Sequence, residues 1–468
     1  MTNENSNLKD VAVKSATETP EESQLNKPIT IGFLVKYGLP TMIAMLVFST
    51  FGMIDGIFAS RGIGEDALAA MTAFMPLMTI MPAIGMLFAG GGSAVILRKV
   101  GMGLNDEARR NFTSISILAF LIVLIIPILA TIFPTPLLNL LGVNYEIYDL
   151  ASTYLRIAAW SFPFMALGQI FNQFLIADGK PNLSMAISVL TSVGGMVLNY
   201  MAIFVLDLGM EGLAWTTIIA TAIPATVQFF IFANNRKSVL RFSVPGIDSK
   251  TFGRIVSVGL AGFLPSAAGA VIVLTMNNVV VRTLDIGAIG IAIAGVVMNL
   301  FSILFMPLMG YMQGIGPIIS YNYGKADHDR QKKLFKYNFK IMMIIPVIIL
   351  LAGNIFANAL VGIYDLPNPP EFPLHDMAVR GLRIMSLGLI AQGLNTLTGA
   401  QFASLSKGAI ATALSMSQII LLHLPLLIFL PRFLDLTGIW LATPITQGVV
   451  IFASMALLFG FGKKFGYR

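Results

Sequence analysis

The chain has no cysteine, 3 histidines, 3 tryptophans and few charges: Asp, Glu, Lys and Arg make up 11% of its 468 residues. Without a thiol there is no disulfide framework, no thiolate metal site and no cysteine nucleophile. A phosphate loop is missing as well. Gly324-Lys325 and Gly462-Lys463 lack the other residues of Gly-x-x-x-x-Gly-Lys-Ser/Thr, which argues against a pump powered directly by ATP. The scarcity of charge excludes an ordinary soluble domain, which carries about 25% charged residues to cover its core. With so few acids and histidines inside the apolar stretches, no constellation for an intramembrane enzyme is in sight. We expect neither catalysis nor a resident metal or cofactor.

What is there is apolar: 56% hydrophobic residues and a mean hydropathy of +0.81. Runs long enough to cross a bilayer, about 20 residues each, fall at about 31–60, 68–98, 112–134, 150–177, 182–206 and 212–234. Six more lie at about 254–283, 288–322, 338–363, 378–404, 409–431 and 437–461. The expected fold is an all-α polytopic membrane protein of about twelve transmembrane helices. The connections alternate in charge. One set holds Arg98, Lys99, Arg109, Arg110, Lys180, Arg236, Lys237, Arg241, Lys250, Arg254, Lys325, Arg330, Lys332, Lys333, Lys336, Lys407, Lys463, Lys464 and Arg468. The other holds mainly Arg61, Arg282, Arg380, Arg383 and Arg432. By the positive-inside rule the rich set is cytoplasmic, which places both termini inside and requires an even number of spans. The net charge of +7 is then a topology signal, and no nucleic acid partner is expected.

Sliding the chain over itself lays Gly91, Gly101 and Phe112 on Gly314, Gly324 and Phe335. Leu155-Arg156-Ile157 likewise falls on Leu382-Arg383-Ile384, and Gly212 on Gly438. The reading is an internal repeat of two six-helix lobes related by a pseudo-two-fold axis near the membrane normal. The expected division is a disordered cytoplasmic tail over 1–29, an N-lobe over 30–234, a cytoplasmic linker over 235–253 and a C-lobe with a short tail over 254–468.

Several short motifs then resemble a known family. They are Tyr37-Gly38-Leu39-Pro40, Ile54-Asp55-Gly56, Ala177-Asp178-Gly179-Lys180-Pro181, Gln313-Gly314-Ile315-Gly316-Pro317, Tyr321-Asn322-Tyr323-Gly324 and Gly438-Ile439-Trp440-Leu441-Ala442. Together they are similar to the multidrug and toxic compound extrusion (MATE) transporters, in particular their prokaryotic branch of staphylococcal multidrug exporters and DNA-damage-inducible relatives. The resemblance implies two lobes around a central cleft, alternating access, and export of amphipathic, often cationic drug-like compounds in exchange for protons or sodium. It implies a multi-pass protein of the bacterial inner membrane, and we expect a monomer in the lipid bilayer. A flippase of lipid-linked saccharides on a related fold is the alternative. Such a cavity should collect basic residues for phosphates, and none lies deep in these spans.

An ionised carboxylate at membrane depth costs about 2.5–3.5 kcal/mol on insertion scales, so Asp55 on the first span calls for a reason. It is either a coupling carboxylate or an interfacial acid reaching outward or toward Arg61, although a spacing of six puts those two on different helix faces. The resemblance supports coupling, because the family's first span carries an aspartate here. It also implies an asparagine and an aspartate on the fifth span, where this chain has Gly195 and Asn199. With the second carboxylate missing, proton coupling is favoured over sodium. Asn199, Thr217, Gln169 and Asn172 are expected to complete the polar cluster. In the C-lobe, Asn278 stands where Asp55 stands in the repeat. Gln313, Asn278, Met306, Met309 and Asn395 are candidates for the substrate cavity, the methionines because flexible thioethers suit varied flat ligands. His423, just before Pro425, is either a proton relay or a neutral ring filling a gap.

Overall fold

Inside lipid a backbone must satisfy its own N–H and C=O groups, and for a chain this apolar the helix does so within each segment. The computed structural model describes residues 24–62, 65–141, 143, 147–234, 238–282, 287–364, 366 and 373–467, and among them every regular element is helical. The first three spans are Ile31–Gly62, Glu65–Gly101 and Asn105–Ile132. The fourth is broken into Tyr148–Ala158 and Ser161–Ala177. The fifth is Pro181–Tyr200, ending in a wide turn at Met201–Val205, and the sixth is Gly209–Asn234. In the second lobe the seventh to ninth spans are Ser249–Arg282, Gly287–Gly324 and His328–Ile355. The tenth is broken into Leu374–Ser386 and Leu389–Ser404. The eleventh comprises Gly408–Met416, a wide turn at Ser417–His423 and Leu424–Phe429, and the twelfth is Pro431–Phe461.

Among the described residues ten helices are long and apolar enough to cross a membrane, and the broken fourth and tenth spans bring the number to twelve. The third and ninth helices begin several residues before their apolar runs. Hydropathy detects the lipid-crossing part, whereas the helices start in charged first turns. Asp106 and Glu107 open the third, and Asp327 caps the ninth by accepting the Arg330 N–H at 3.0 Å. The eleventh span widens before Pro425, which has no N–H to give and crowds the preceding turn.

The two lobes repeat down to single hydrogen bonds. After the second span Met102, Gly103 and Leu104 donate to the carbonyls of Arg98, Val100 and Lys99. After the eighth, Lys325, Ala326 and Asp327 donate to Tyr321, Tyr323 and Asn322. After the fourth span Asp178, Gly179 and Lys180 donate to Phe174, Ile176 and Leu175, while after the tenth Leu405, Ser406 and Lys407 donate to Gln401, Ala403 and Phe402. Each turn closes through one left-handed residue. Gly103 and Gly179 have φ of 79° and 83°, and their counterparts Ala326 and Ser406 have 54° and 57°. The second lobe thus holds the same turns without glycine, at a cost of roughly 1–2 kcal/mol each.

Apolar burial is partitioned in three. One cluster joins both lobes at the end that carries the basic loops, with Leu34, Val95 and Phe174 packed together with Ile255, Leu308, Ile318 and Phe402. A second lies wholly in the first lobe toward the opposite end, around Phe74, Tyr154, Phe162 and Leu213. The third lies wholly in the second lobe, around Val280, Val297, Leu382 and Trp440. The lobes therefore share a core at the basic end and keep separate cores beyond it.

Glycine permits the shared part. A Cβ on Gly91 would lie 2.1 Å from the Ile255 carbonyl oxygen, and one on Gly259 2.2 Å from that of Leu87. Near the axis, a Cβ on Gly101 would meet the Tyr321 oxygen at 2.2 Å and one on Gly324 the Arg98 oxygen at 2.1 Å. Between membrane helices the association rests on close van der Waals contact, and only glycine lets these backbones approach so far. The chain ahead of the first span joins the same end. Gln24–Asn26 form a 3-10 turn within the stretch expected as a disordered tail, because the Arg330 guanidinium donates to the carbonyls of Leu25, Asn26 and Lys27 at 3.0, 3.1 and 2.9 Å.

Candidate transport site between the lobes

The first span packs along the fifth. Near their far ends Phe58 lies against Tyr200 and Phe204, with ring centroids 6.1 and 5.8 Å apart. Asp55 belongs to this first helix, three residues before Phe58, and its side chain lies outside the described residues. Asn199, next to Tyr200, is buried and accepts a hydrogen bond from the Thr216 hydroxyl on the sixth span. Thr217, the residue expected in this role, turns its hydroxyl to the Leu213 carbonyl of its own helix at 2.9 Å. Thr216 is buried and Thr217 half-buried, a difference between adjacent threonines that the sequence pattern does not carry.

The other expected partners sit elsewhere. Asn172 donates to Ser188 at 3.1 Å and accepts from Ser184, both near the basic end of the fifth span. From there to Asn199 is about 17–22 Å along the helix. Gln169 is half-buried one turn from Asn172 on the same helix. The structure thus brings Asn199 together with Thr216, and it places Asn172 in a separate contact between the fourth and fifth spans.

In the second lobe Met306, Met309 and Gln313 are all half-buried and share one face of the eighth span by their i, i+3, i+7 spacing. The Gln313 carbonyl accepts from Gln173 of the first lobe at 3.4 Å, so the eighth span meets the fourth at this level. Asn278 is exposed and donates to Leu274 of its own helix at 2.9 Å. Asn395 is buried and fully engaged with the twelfth span: it donates to the Gln447 side chain at 2.7 Å and accepts from Ser454 at 2.7 Å. That role is helix packing. His423 lies in the wide turn of the eleventh span with its Nδ1 3.4 Å from the Thr446 hydroxyl.

Four of the motifs quoted above, those around Tyr37, Ala177, Ile315 and Tyr321, lie at the basic end where the lobes share a core, whereas Trp440 belongs to the separate core of the second lobe. Tyr37 donates to the Ile176 carbonyl at 2.5 Å, and a Cβ on Gly38 would lie 2.6 Å from the Tyr311 ring. Gly314 lies against Thr41, and Asn322 accepts from Arg330 at 2.8 Å. A family model named MatE matches residues 40–201 and 265–429, one segment in each lobe. The chain belongs to the MatE family. It is 26% identical to the multidrug export protein MepA of Staphylococcus saprophyticus over 430 residues, covering 91% of this chain and 93% of that one. MepA of Staphylococcus aureus is 26% identical over 432 residues, with the same coverage. Among solved structures, an outward-facing multidrug resistance MATE transporter superposes with a TM-score of 0.85 at 20% identity, covering 95% of this chain and 98% of that one. A transporter of the MOP superfamily from Pyrococcus furiosus superposes at 0.86, with the same identity and coverage. This MatE chain is a multi-pass membrane protein with the MATE fold.

Proposed function

We propose that the protein is a secondary exporter of amphipathic, often cationic drug-like compounds, working by alternating access and coupled to protons. The observation that carries this reading is the three-part core. Two lobes that meet at one end and keep separate cores toward the other leave a gap open to one side, and a reversal of that contact would open the opposite side. The positive-inside rule puts the shared, basic end and both termini in the cytoplasm of a bacterial plasma membrane, so the gap faces outward. The names of the staphylococcal relatives support multidrug export. The half-buried Met306, Met309 and Gln313 face offers adaptable thioethers and one amide to a flat apolar ligand.

Coupling is assigned to Asp55 of the first span, with Asn199 and Thr216 of the fifth and sixth spans as its polar partners. In this reading the Asp55 carboxyl takes up a proton where the gap admits water and releases it when the surroundings change. A sodium ion wants several oxygens and a balancing charge, and the fifth span supplies an amide where a second carboxylate would serve. The test is dye efflux from proteoliposomes energised by a pH or a sodium gradient. Wild type should respond to the pH gradient and Asp55→Asn should not. Normal pumping by the variant would remove the coupling assignment, and transport driven by sodium alone would remove the proton.

A further inference from the structure

The loops that follow the fourth and tenth spans are the same turn, built twice. In the first lobe the lysine of that turn is neutralised on the spot: Lys180 Nζ lies 2.6 Å from the Asp178 carboxylate, which also accepts from Ser238 at 2.7 Å. In the second lobe Leu405 occupies the place of Asp178, and the equivalent lysine, Lys407, loses that partner. Lys407 instead lines a cavity of about 310 Å³ with Arg254, Ser257, Ser406 and the first turn of the eleventh span, Gly408–Ile410. The cavity wall is held firmly, because a Cβ on Gly408 would lie 2.2 Å from the Ser257 carbonyl.

Positive charge accumulates here: Arg98 and Lys407 are half-buried, and Arg254 and Lys464 lie exposed beside them. Burial first, and then the charges of Arg98, Arg254 and Lys464, lower the pKa of the Lys407 ammonium. Among the described residues none of these four cations lies within 4.0 Å of a carboxylate. Three of them rest on aromatic faces: Arg98 is 5.0 Å from the Tyr323 ring, Lys407 5.1 Å from Phe465 and Lys464 5.7 Å from Phe461. Arg98 Nε and the Ser406 hydroxyl are buried with no hydrogen-bond partner. Four like charges are costly to assemble unless an anion joins them, and the first turn of a helix adds donors of the same sense. Arg98 comes from the first lobe and the other three from the second, at the end where the lobes meet.

We propose that this cavity binds a phosphate group, supplied by the headgroup of an anionic phospholipid at the basic face, and that the bound phosphate sits between Arg254 and Lys407, with Arg98 of the other lobe adding its charge to the site. The site lies at the end of the tenth span and the start of the eleventh, beside the basic loops, and basic pockets between helices are the usual receptors for such headgroups. The inference stands apart from the transport reading, since it concerns a cluster at the closed end and not the gap.

The full chain would be placed in nanodiscs of phosphatidylcholine with a small fraction of cardiolipin, and retained lipid measured by native mass spectrometry after release. A second arm would titrate inorganic phosphate against chloride at constant ionic strength and follow thermal unfolding in a neutral detergent. Wild type should retain cardiolipin, and each of Lys407→Gln and Arg254→Gln should weaken retention about fivefold. Lys250→Gln, a cation on the same helix that does not line the cavity, should not. Stabilisation by inorganic phosphate that disappears in both cavity variants, without lipid preference, would keep the phosphate site and replace the lipid as its source. If neither arm separates the cavity variants from wild type, or if Lys250→Gln behaves as they do, the site does not exist. Folding of each variant is checked by its elution and circular dichroism, and Arg98→Gln provides an independent substitution from the other lobe.

Discussion

Gly91→Ala is the sharpest test of how the lobes meet. The added methyl would lie 2.1 Å from the Ile255 carbonyl oxygen and 2.9 Å from the Gly259 nitrogen, both backbone atoms that cannot rotate away. Reaching ordinary contact requires the second and seventh spans to part by about 1.3 Å, and overpacking of this kind costs about 1–3 kcal/mol. The cost is felt only when the lobes touch at the basic end, so the equilibrium should move toward the separated arrangement by roughly 5- to 150-fold. Gly253, on the same seventh span as Ile255, has nothing within 4 Å of an added Cβ. Gly253→Ala should instead stabilise its helix by about 0.5–1 kcal/mol and leave the lobes alone. The absence of native cysteine makes the measurement direct. Spin labels on Leu104→Cys and Lys332→Cys, one on each lobe at the basic face, would report the interlobe distance by pulsed electron resonance. A longer distance in Gly91→Ala alone is expected. An unchanged distribution in Gly91→Ala, or a shift in Gly253→Ala, would refute the reasoning.

Arg330→Ala removes the donors to three carbonyls of residues 25–27 and should raise amide exchange in Gln24–Lys27 about tenfold, as expected for lost charged hydrogen bonds. Lys332→Ala should leave that exchange unchanged. Thr216→Val should impair export more than Thr217→Val, because Thr216 donates to buried Asn199 whereas Thr217 donates to the Leu213 carbonyl of its own helix; equal effects would place the polar contact elsewhere. Hydrogen bonds from Thr251, with Lys99 adding a smaller pull, hold the Asp248 carboxyl below its usual range. Its folded pKa lies below the unfolded one, so the cap it forms on the seventh span is fully present above about pH 4 and is lost as pH falls through the folded value. Exchange at the Thr251 amide should therefore accelerate on acidification, and Asp248→Asn should abolish that response.

The spans and the repeat were legible because lipid imposes a crude, local requirement: about 20 apolar residues per crossing, with cations left on one side. The breaks in the fourth and tenth spans were less so. Ala159-Trp160 and Leu387-Gly388 carry no proline, and at Gly388 the neighbour is Pro444 of the twelfth span, 3.1 Å from an added Cβ. The loss of Asp178's counterpart at Leu405 was readable from the repeat alone. Its meaning required the cavity, because Arg254 and Lys407 are more than 150 positions apart. Asn395 and Asn199 are both buried amides on spans; only their partners separate one that packs helices from one placed beside the first span.

By itself, the order of residues determined a polytopic helical chain, its two-fold repeat, the side on which its cations gather and the isolation of Asp55. These follow from transfer free energies that act residue by residue along the chain. The tertiary structure decided which glycines close the molecule, which threonine faces Asn199 and where four cations converge. Those outcomes depend on distances between segments remote in sequence, and each is set by how closely two backbones approach.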